Sequence, residues 1–199
     1  MAAIGRTYAT DGYDRQRYER LQVLAAEMLA DLAGTSPGRV ADLYLPDKGY
    51  VTPKVDVRAA VRDEAGRLLL VQERSDGCWA LPGGWADIGD APADVAVRET
   101  AEEAGYPVEP VRLLGVYDRD APQWNHPPHA YHVYKVVVAC QLLGAADGGP
   151  ADGAGGEIAD VGFFPPDQLP PLSKTRNSAE LLARIVARLD DPAAPADFD

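Results

Sequence analysis

The apolar residues of the N-terminal region follow a helical period. Between residues 13 and 33 they recur at steps of three and four, which places them on one face of an α-helix. The members of this stripe are Tyr18, Leu21, Ala25, Met28 and Leu32. Gly34 suits the position after a helix, and Pro37 cannot continue one. We therefore predict an amphipathic helix whose stripe packs on the main domain or on a second subunit.

Downstream, the apolar pattern changes to short runs typical of β-strands. Residues 1–50 are interpreted as a helical extension with its linker, and residues 51–190 as the main domain. The runs VDVRAAV and RLLLVQER flank the turn RDEAG and indicate a hairpin. Further strands are predicted in VEPVRLLGVYDR, YHVYKVVVACQLLG and EIADVGFFP, and a helix in SAELLARIVARL. This mixture predicts an α/β or α+β fold with helices against a mixed sheet. Residues 191–199 are expected to form a flexible tail.

Another helix is predicted from about Ala91 to Ala104, after the loop SDGCWALPGGWADIG. Asp90 is a suitable N-cap, and Pro92 falls in the first turn, where its missing N–H costs little. Gly105 is a suitable residue beyond the last turn. The sequence therefore contains signals for both ends of this helix.

The chain is acidic, with 199 residues and a formal net charge of −12. This argues against a protein that binds extended nucleic acid through a broad basic face. A phosphorylated substrate is compatible with the charge, because a divalent cation can lie between protein carboxylates and phosphates. The two cysteines form no CxxC pair. There is no secretory signal and no apolar run long enough to cross a membrane, so we expect a cytoplasmic protein.

Three glutamates lie close together on the helix predicted from Ala91. Glu99, Glu102 and Glu103 are at positions i, i+3 and i+4, which places their carboxylates on one face. Like charges at this spacing destabilise a bare helix, and a divalent cation would remove the repulsion. Carboxylate oxygens are ligands that Mg²⁺ and Mn²⁺ prefer. The spacing alone also fits a solvated acidic helix face.

The surroundings of these glutamates resemble the Nudix box, the signature of a hydrolase superfamily. The box has the form G, five residues, E, seven residues, R-E-U-x-E-E-x-G-U, where U is aliphatic. Here Gly84 begins it, five residues precede Asp90, and after seven more it continues as RETAEEAGY from Arg98 to Tyr106. The glycines, the arginine and the three glutamates are in register. The resemblance implies the Nudix fold, a mixed sheet sandwiched between helices.

Three positions depart from the Nudix pattern. Asp90 replaces glutamate, Thr100 replaces an aliphatic residue, and Tyr106 ends the box. The resemblance implies a structural role for Asp90, which would cap the helix and pair with Arg98. None of the departures removes an implied metal ligand, so the resemblance implies an active enzyme.

The resemblance also implies a metal site and a reaction. Glu99 and Glu103 would be the principal Mg²⁺ ligands, with Glu102 as a further ligand and the carbonyl of Gly83 completing the set. Mn²⁺ is the alternative ion. The metal would join these groups to a diphosphate and lower the pKa of a bound water, which would displace one phosphate from the other. Arg98 belongs to the same catalytic set.

A general base, or a metal-bound hydroxide in its place, is also required. Glu99 is one candidate, and Glu157 is the other, since several Nudix proteins supply a base from a late loop. Glu157 also fits an ordinary surface carboxylate. The segment NHPPHAYH contains three histidines without helical register, which we interpret as structural or substrate-lining: His126, His129 and His132.

The similarity extends beyond the box to a Nudix subfamily with an N-terminal helical extension, which resembles the pyrophosphatases acting on CDP-choline and ADP-ribose. It rests on segments that include YDRQRYERLQVLAAEML, YVTPKVDVRAAV, ERSDGCWALPGGWAD and VGFFPPDQLPPLS. It implies hydrolysis of a nucleoside diphosphate linked to a group X, giving a nucleoside monophosphate and phosphorylated X. The N-terminal helices of such proteins commonly join a dimer, which favours a homodimer here.

Three side chains are candidates for holding this substrate. Arg58 and Arg74 flank the strand region that leads to the box, and either could meet phosphate, although both also fit ordinary surface charges. Trp85 could stack on a base or lie over a choline group. Core packing is an equal alternative for Trp85 and the favoured interpretation for Trp79.

Two other functions stay open at the level of the sequence. The substrate could instead be a nucleoside triphosphate or a nucleic-acid end, since an unpaired terminus could enter a small pocket. The chain could also be a Nudix-like nucleotide sensor that binds without turnover. Sensors would usually lack one of the three glutamates, and all three are present, which favours the enzyme.

Overall fold

The computed structural model of the chain describes residues 1–44, 50–127, 129, 131–144 and 156–199. Part of the predicted linker and most of the Gly-rich segment AADGGPADGAGGE lie outside these residues. The described chain forms two compact units, Met1–Pro53 and Lys54–Asp199.

The described part of the N-terminal unit contains the helices α1 (Ala2–Tyr8), α2 (Gly12–Ala33) and α3 (Pro37–Tyr44). Only α2 is predicted by the apolar stripe. Its first turn is capped by the Asp11 carboxylate, which accepts from the Asp14 N–H at 2.9 Å. Gly34 ends it with a left-handed φ of 61°. Across the described residues, the helices lack the length and apolar character that a membrane span requires.

Most of the predicted stripe on α2 is exposed. Leu21, Met28 and Leu32 are 50%, 66% and 84% exposed. Tyr18 is partly buried because its ring lies against Gly5 of α1, where a Cβ would come within 2.3 Å of the ring. Exposed apolar surface of this kind is typical of interaction sites.

The described part of the C-terminal unit contains eight strands, two α-helices, one π-helical turn and one 3-10 turn. The strands are β1 (Lys54–Val61), β2 (Leu68–Glu73), β3 (Trp79–Ala80), β4 (Gly83–Trp85), β5 (Val108–Asp118), β6 (Val133–Leu142), β7 (Ile158–Phe164) and β8 (Asp197–Phe198). The helices are α4 (Pro92–Glu99), which continues as a π-helical turn (Thr100–Ala104), a 3-10 turn (Pro122–Trp124) and α5 (Ala179–Asp190).

The strands form two sheets, with the orders β4-β1-β6-β5-β8 and β3-β2-β7. β1 runs parallel to β6 and antiparallel to β4, whereas β5 is antiparallel to β6. The predicted hairpin of β1 and β2 pairs only at its turn, through a bridge between Arg62 and Leu68. The two strands separate beyond this bridge because β1 already has β4 and β6 on its two edges.

The core lies on both faces of these strands, between α4 and α5. On one face, Val57 of β1 packs in a cluster with Val95 and Ala96 of α4. On the other, Ala60 of β1 packs with a cluster that includes Leu182 and other residues of α5. The alternation of strand side chains between two faces explains this arrangement. It confirms the predicted mixed α/β fold with strands between helices.

The C terminus differs from the expected flexible tail. Asp197 and Phe198 pair in parallel with Gly115 and Val116 of β5. The Asp197 carboxylate also accepts from Arg184, with a separation of 2.9 Å between Nη2 and Oδ1. These long-range contacts, which composition alone does not reveal, hold the last residues on the domain.

Candidate active site

The predicted glutamate helix is present, but its last turn is irregular. α4 is regular only to Glu99, and a π-helical turn follows. Thr100, which replaces an aliphatic residue of the Nudix pattern, is fully buried, and its hydroxyl donates to the Ala96 carbonyl at 2.7 Å. π-helical turns are frequent at functional sites. Because this turn carries Glu102 and Glu103, regular helical spacing does not fix where their carboxylates lie.

The start of α4 also differs from the prediction. Ala91, not Asp90, is the N-cap residue, and it makes no side-chain capping bond. Pro92 lies in the first turn, as expected. Because Asp90 stands one residue before the cap, its carboxylate instead faces Arg98, 3.4 Å from the Arg98 Nη2.

Arg98 joins three acidic side chains. Besides Asp90, its Nη1 lies 2.8 Å from the Glu99 carboxylate and 3.4 Å from that of Glu102. The guanidinium therefore offsets part of the repulsion between neighbouring carboxylates and fixes the position of Glu99.

A glycine pair brings the backbone of the preceding loop to these carboxylates. Gly83 has a φ of 142°, and a Cβ there would lie 2.0 Å from the Val57 carbonyl oxygen, so only glycine fits. Its N–H donates to the Glu103 carboxylate at 2.9 Å. A Cβ on Gly84 would lie 3.3 Å from the Glu99 carboxylate. The close approach of loop and helix therefore requires Gly83, whereas at Gly84 the Glu99 side chain would have to shift slightly.

Burial dominates the electrostatics of the two inner glutamates. It raises the pKa of Glu103 to about 7, against the opposing effects of Arg58 and the Gly83 N–H. Burial also raises the pKa of Glu99, against the effect of Arg98. A cation bound between two neighbouring carboxylates with raised pKa values would favour the charged form of both. Their oxygen-only donor set fits a hard divalent ion.

These residues line a cavity of about 560 Å³ in the C-terminal unit. Seven of the nine residues singled out from the sequence lie along it: Arg58, Gly83, Trp85, Arg98, Glu99, Glu103 and Glu157. Glu102 does not line it, since its side chain is 46% exposed and turns toward Arg98. Arg74 is exposed and also lies outside the lining.

The two tryptophans have different environments. Trp85 lies at the cavity and is 48% exposed, with its ring centroid 6.3 Å from that of His129. Trp79 is buried in the core and meets Phe164 edge to face, with 4.6 Å between ring centroids. Trp85 is therefore accessible to a ligand, and Trp79 has the core position favoured from the sequence.

The sheet contributes charged residues to the cavity, of which sequence reasoning identified Arg58 and missed Asp56 and Lys135. Asp56 and Arg58 of β1 and Lys135 of β6 are all buried and line it. We call these three residues the sheet side of the cavity, and Arg98, Glu99 and Glu103 its helix side. A signal was available, since a charged residue inside an apolar strand needs a buried partner.

A second ion pair was also missed. Glu73, at the end of β2, is buried and lies 2.6 Å from the Arg176 Nε, and both residues line the cavity. Burial raises the pKa of Glu73, against the effect of Arg176. The two residues are far apart in the chain, so no local pattern links them.

A separate acidic group lies near the predicted histidine cluster. In the described part of the chain, Asp118, Asp120 and His132 each place a possible metal-ligand atom within 4.8 Å of those of the other two. His132 Nε2 lies 3.0 Å from the Asp118 carboxylate, so the two already satisfy each other. Of the three histidines in NHPPHAYH, His129 alone is among the residues that line the cavity.

Comparison with known families identifies two matching regions. Residues 52–185 match the family model described as the NUDIX domain. Residues 1–44 match a model described as a UDP-X-like, N-terminal oligomerisation domain. The two matches correspond to the two compact units, apart from the linker and the last residues.

Individual relatives agree with these matches. A putative ADP-ribose pyrophosphatase, YjhB, of Bacillus subtilis (strain 168) is 43% identical over the whole chain, which covers 92% of that protein. The crystal structure of a UDP-X diphosphatase is 32% identical, with coverage of 100% of this chain and 92% of that one and a TM-score of 0.65. An ADP-ribose pyrophosphatase structure from Streptococcus suis 89-1591 is 39% identical, with 74% and 100% coverage and a TM-score of 0.62.

Proposed function

The chain belongs to the Nudix family of hydrolases, and from this premise we propose that it hydrolyses the diphosphate bond of a nucleoside diphosphate linked to a group X. The products are a nucleoside monophosphate and phosphorylated X. ADP-ribose is the first substrate to test, because relatives named for it cover most of the chain. UDP-linked compounds and CDP-choline are the alternatives within the class.

The observation that carries this proposal is the position of Glu99 and Glu103. Both are partly buried beside the Gly83–Gly84 backbone, in a cavity that is also lined by buried cations. Such a site can take up a diphosphate only if the carboxylates are neutralised. A site designed for an uncharged ligand would have no reason to bury them.

Glu99 and Glu103 are the residues that would hold Mg²⁺, with the Gly83 carbonyl and, from the rim, Glu102 as further ligands. Mn²⁺ fits the same oxygen donors. When bound, the ion would neutralise charge on the phosphoryl oxygens and lower the pKa of a water. Arg98 holds Glu99 in position through their 2.8 Å contact.

The remaining roles fall to side chains along the cavity. Arg58 donates charge-assisted hydrogen bonds to the diphosphate. Glu157 accepts a proton from the water that attacks one phosphorus, while the bond from that phosphorus to the bridging oxygen breaks and the other phosphate leaves with the oxygen; Glu99 is the alternative base. Trp85 lies under the nucleoside or the X group, where an exposed ring can stack. Arg74, exposed and outside the lining, has no role in this proposal.

We also propose that the chain forms a homodimer through α2. The support is the exposed stripe of Leu21, Met28 and Leu32 and the match of residues 1–44 to an oligomerisation domain. Replacing Met28 by Glu should yield monomers in light scattering at concentrations where the wild type is a dimer. The matched control is Leu143→Glu, an exposed apolar residue of the C-terminal unit. A dimer that survives Met28→Glu contradicts this interface.

The experiment that tests the activity is a hydrolysis screen with Mg²⁺ and with chelator. The substrates are ADP-ribose, UDP-sugars, CDP-choline and nucleoside triphosphates, and the product is identified by chromatography. Metal-dependent release of a nucleoside monophosphate supports the proposal and selects X. Turnover of triphosphates alone would overturn it, and tight binding without turnover would indicate a sensor.

A further inference from the structure

The sheet side of the cavity is a buried cluster of three charges. Asp56 and Arg58 lie two residues apart on β1 and therefore point to the same face. The parallel register of β1 and β6 places Lys135 directly beside Asp56. All three are at most 6% exposed. Groups that are 79 residues apart in sequence are thus held together by the sheet.

One carboxylate serves both cations. Oδ1 of Asp56 accepts from Arg58, at 2.9 Å from Nε and 2.8 Å from Nη2, and Oδ2 accepts from Lys135. Arg58 also donates through Nη1 to the Leu81 carbonyl at 3.1 Å. Both oxygens of Asp56 are therefore occupied, and the cluster has a net charge of +1.

Lys135 has hydrogen-bonding capacity left over. An ammonium group has three N–H donors, and within the described residues its hydrogen bond is to Asp56. The group lines the cavity that contains Glu99 and Glu103. Burial lowers the pKa of Lys135 to about 8, against the opposing effect of Asp56. A buried cation in this state gains much from an anion placed next to it.

We propose that Lys135 donates to a non-bridging oxygen of the substrate diphosphate, and that Asp56 is the positioning residue that orients both Lys135 and Arg58. This inference rests on the proposed function, which supplies the diphosphate. The anion completes the charge balance of the sheet side, since it brings negative charge to a cluster with one surplus cation. Arg58 and Lys135, fixed to the two oxygens of one carboxylate, form a rigid pair of donors.

A purely structural role would not need these charges. Replacing a buried ion pair by apolar side chains of similar volume is often neutral or stabilising. The apolar strand residues on the same face include Ala60 of β1 and Val137 of β6, both buried. The position of the charges at the cavity wall therefore points to the ligand.

The first test compares steady-state kinetics of three variants with ADP-ribose and Mg²⁺. Lys135→Met keeps the volume and removes the charge, and Lys135→Arg keeps the charge. Lys174→Met is the matched control, because Lys174 is exposed and outside the cavity lining. We expect Lys135→Met to raise KM about tenfold to a hundredfold, the range for a charged hydrogen bond, with a smaller change in kcat. Its Tm should fall, because Asp56 Oδ2 loses its donor. Lys174→Met should match the wild type, and Lys135→Arg should recover part of the affinity.

The pH dependence of kcat/KM is a second test, because a purely structural role of Lys135 would not change it. The charged and titratable groups that act on Lys135 are Asp56, Arg58, Arg119 and His126. Burial raises the pKa of Asp56, but Arg58 and Lys135 outweigh this effect and lower the pKa overall. Burial lowers the pKa of His126, and arginines stay charged. Lys135 is therefore the member of this group that titrates near pH 8. The wild-type kcat/KM should fall as pH rises through about 8, and Lys135→Met should lack this descending limb.

A binding measurement separates this inference from the proposed function. Calorimetry with inorganic pyrophosphate and Mg²⁺ measures affinity without turnover. A loss of about tenfold or more in Lys135→Met supports the subsite even if ADP-ribose is not hydrolysed. Equal pyrophosphate affinity and an unchanged KM in Lys135→Met would overturn it, while leaving the proposed hydrolysis intact. Asp56→Asn should weaken binding as well, because both cations lose their orienting partner.

Discussion

The helix side and the sheet side of the cavity differ in both charge and origin. The helix side presents Glu99 and Glu103, whose pKa values are raised by burial. The sheet side presents Arg58 and Lys135 around one carboxylate, Asp56. The first comes from one continuous stretch of chain, whereas the second exists only because β1 and β6 are neighbours. A local motif therefore identifies one half of this site, whereas the opposite charges come from strands that are far apart in the sequence.

We expect the largest loss of activity when Glu103 of the helix side is replaced. Glu103→Gln should lower kcat by about a hundredfold or more, beyond the loss typical of groups that only support metal ligands. Stability should be little changed, since glutamine resembles the neutral carboxyl. Glu109→Gln is the matched control, because Glu109 is exposed and outside the cavity lining. Near-wild-type activity of Glu103→Gln would contradict the metal site.

Substitution of Glu157 tests whether the general base is Glu157 or Glu99 of the helix side. If Glu157 is the base, Glu157→Gln should lower kcat by about a hundredfold and leave the Mg²⁺ dependence unchanged. Glu99→Gln should instead lower both kcat and metal affinity. Rates as a function of Mg²⁺ concentration distinguish the two variants. Full activity of Glu157→Gln would transfer the base role to Glu99 or to bound hydroxide.

Gly83 lies where the two sides meet, opposite Arg58 in the β1–β4 register. Gly83→Ala should destabilise the protein by about 3 kcal/mol or more, because backbone strain of this kind costs 1–3 kcal/mol and the Cβ would also meet the Val57 carbonyl at 2.0 Å. Gly66→Ala is the control, since Gly66 also has a positive φ of 75° but has open space around it. It should lose only about 1–2 kcal/mol. Chemical denaturation measures both, and equal losses would show that the contact with Val57 is unimportant.

The smallest effect is a change in folding stability with pH that arises from the helix side. The folded pKa of Glu103 is raised from 4.5 to about 7, so the metal-free folded protein holds more protons than the unfolded chain between these values. This stability contribution is full below pH 4.5 and is lost as pH rises through about 7, by at most about 3 kcal/mol. Thermal unfolding in chelator from pH 4.5 to 8 should show the loss. The loss should be reduced by Mg²⁺ and smaller in Glu103→Gln, where Glu99 and Glu73 keep raised pKa values. A flat wild-type profile would contradict it.

The fold could be predicted wherever its signals were local. The α2 stripe, the strand runs and the glycine after Ala104 all produced elements close to those observed. The short helices α1 and α3 were missed, because seven or eight residues contain too few turns to establish a period. The strand at Asp197–Phe198 was missed because it depends on pairing with β5.

In the candidate site, too, the sequence predicted the features that have local signals and missed those that depend on tertiary structure. The spacing of Glu99, Glu102 and Glu103 and the resemblance to the Nudix box were sufficient to identify the family, the chemistry and most cavity residues on the helix side. They did not reveal that Glu102 turns to Arg98 and the solvent, because the π-helical turn changes the geometry after Glu99. They also did not distinguish Arg58, which lines the cavity, from Arg74, which is exposed.

By itself, the sequence determined the family, the carboxylate-rich helix and the apolar stripe of α2, because each depends on residues within a few turns of one another. Only the tertiary structure decided which charges share the cavity. Strand order and register bring Lys135 to Asp56 and a late loop brings Arg176 to Glu73. Burial then sets their energies, since a charge removed from water must find its partner in whichever strand or loop the fold places beside it.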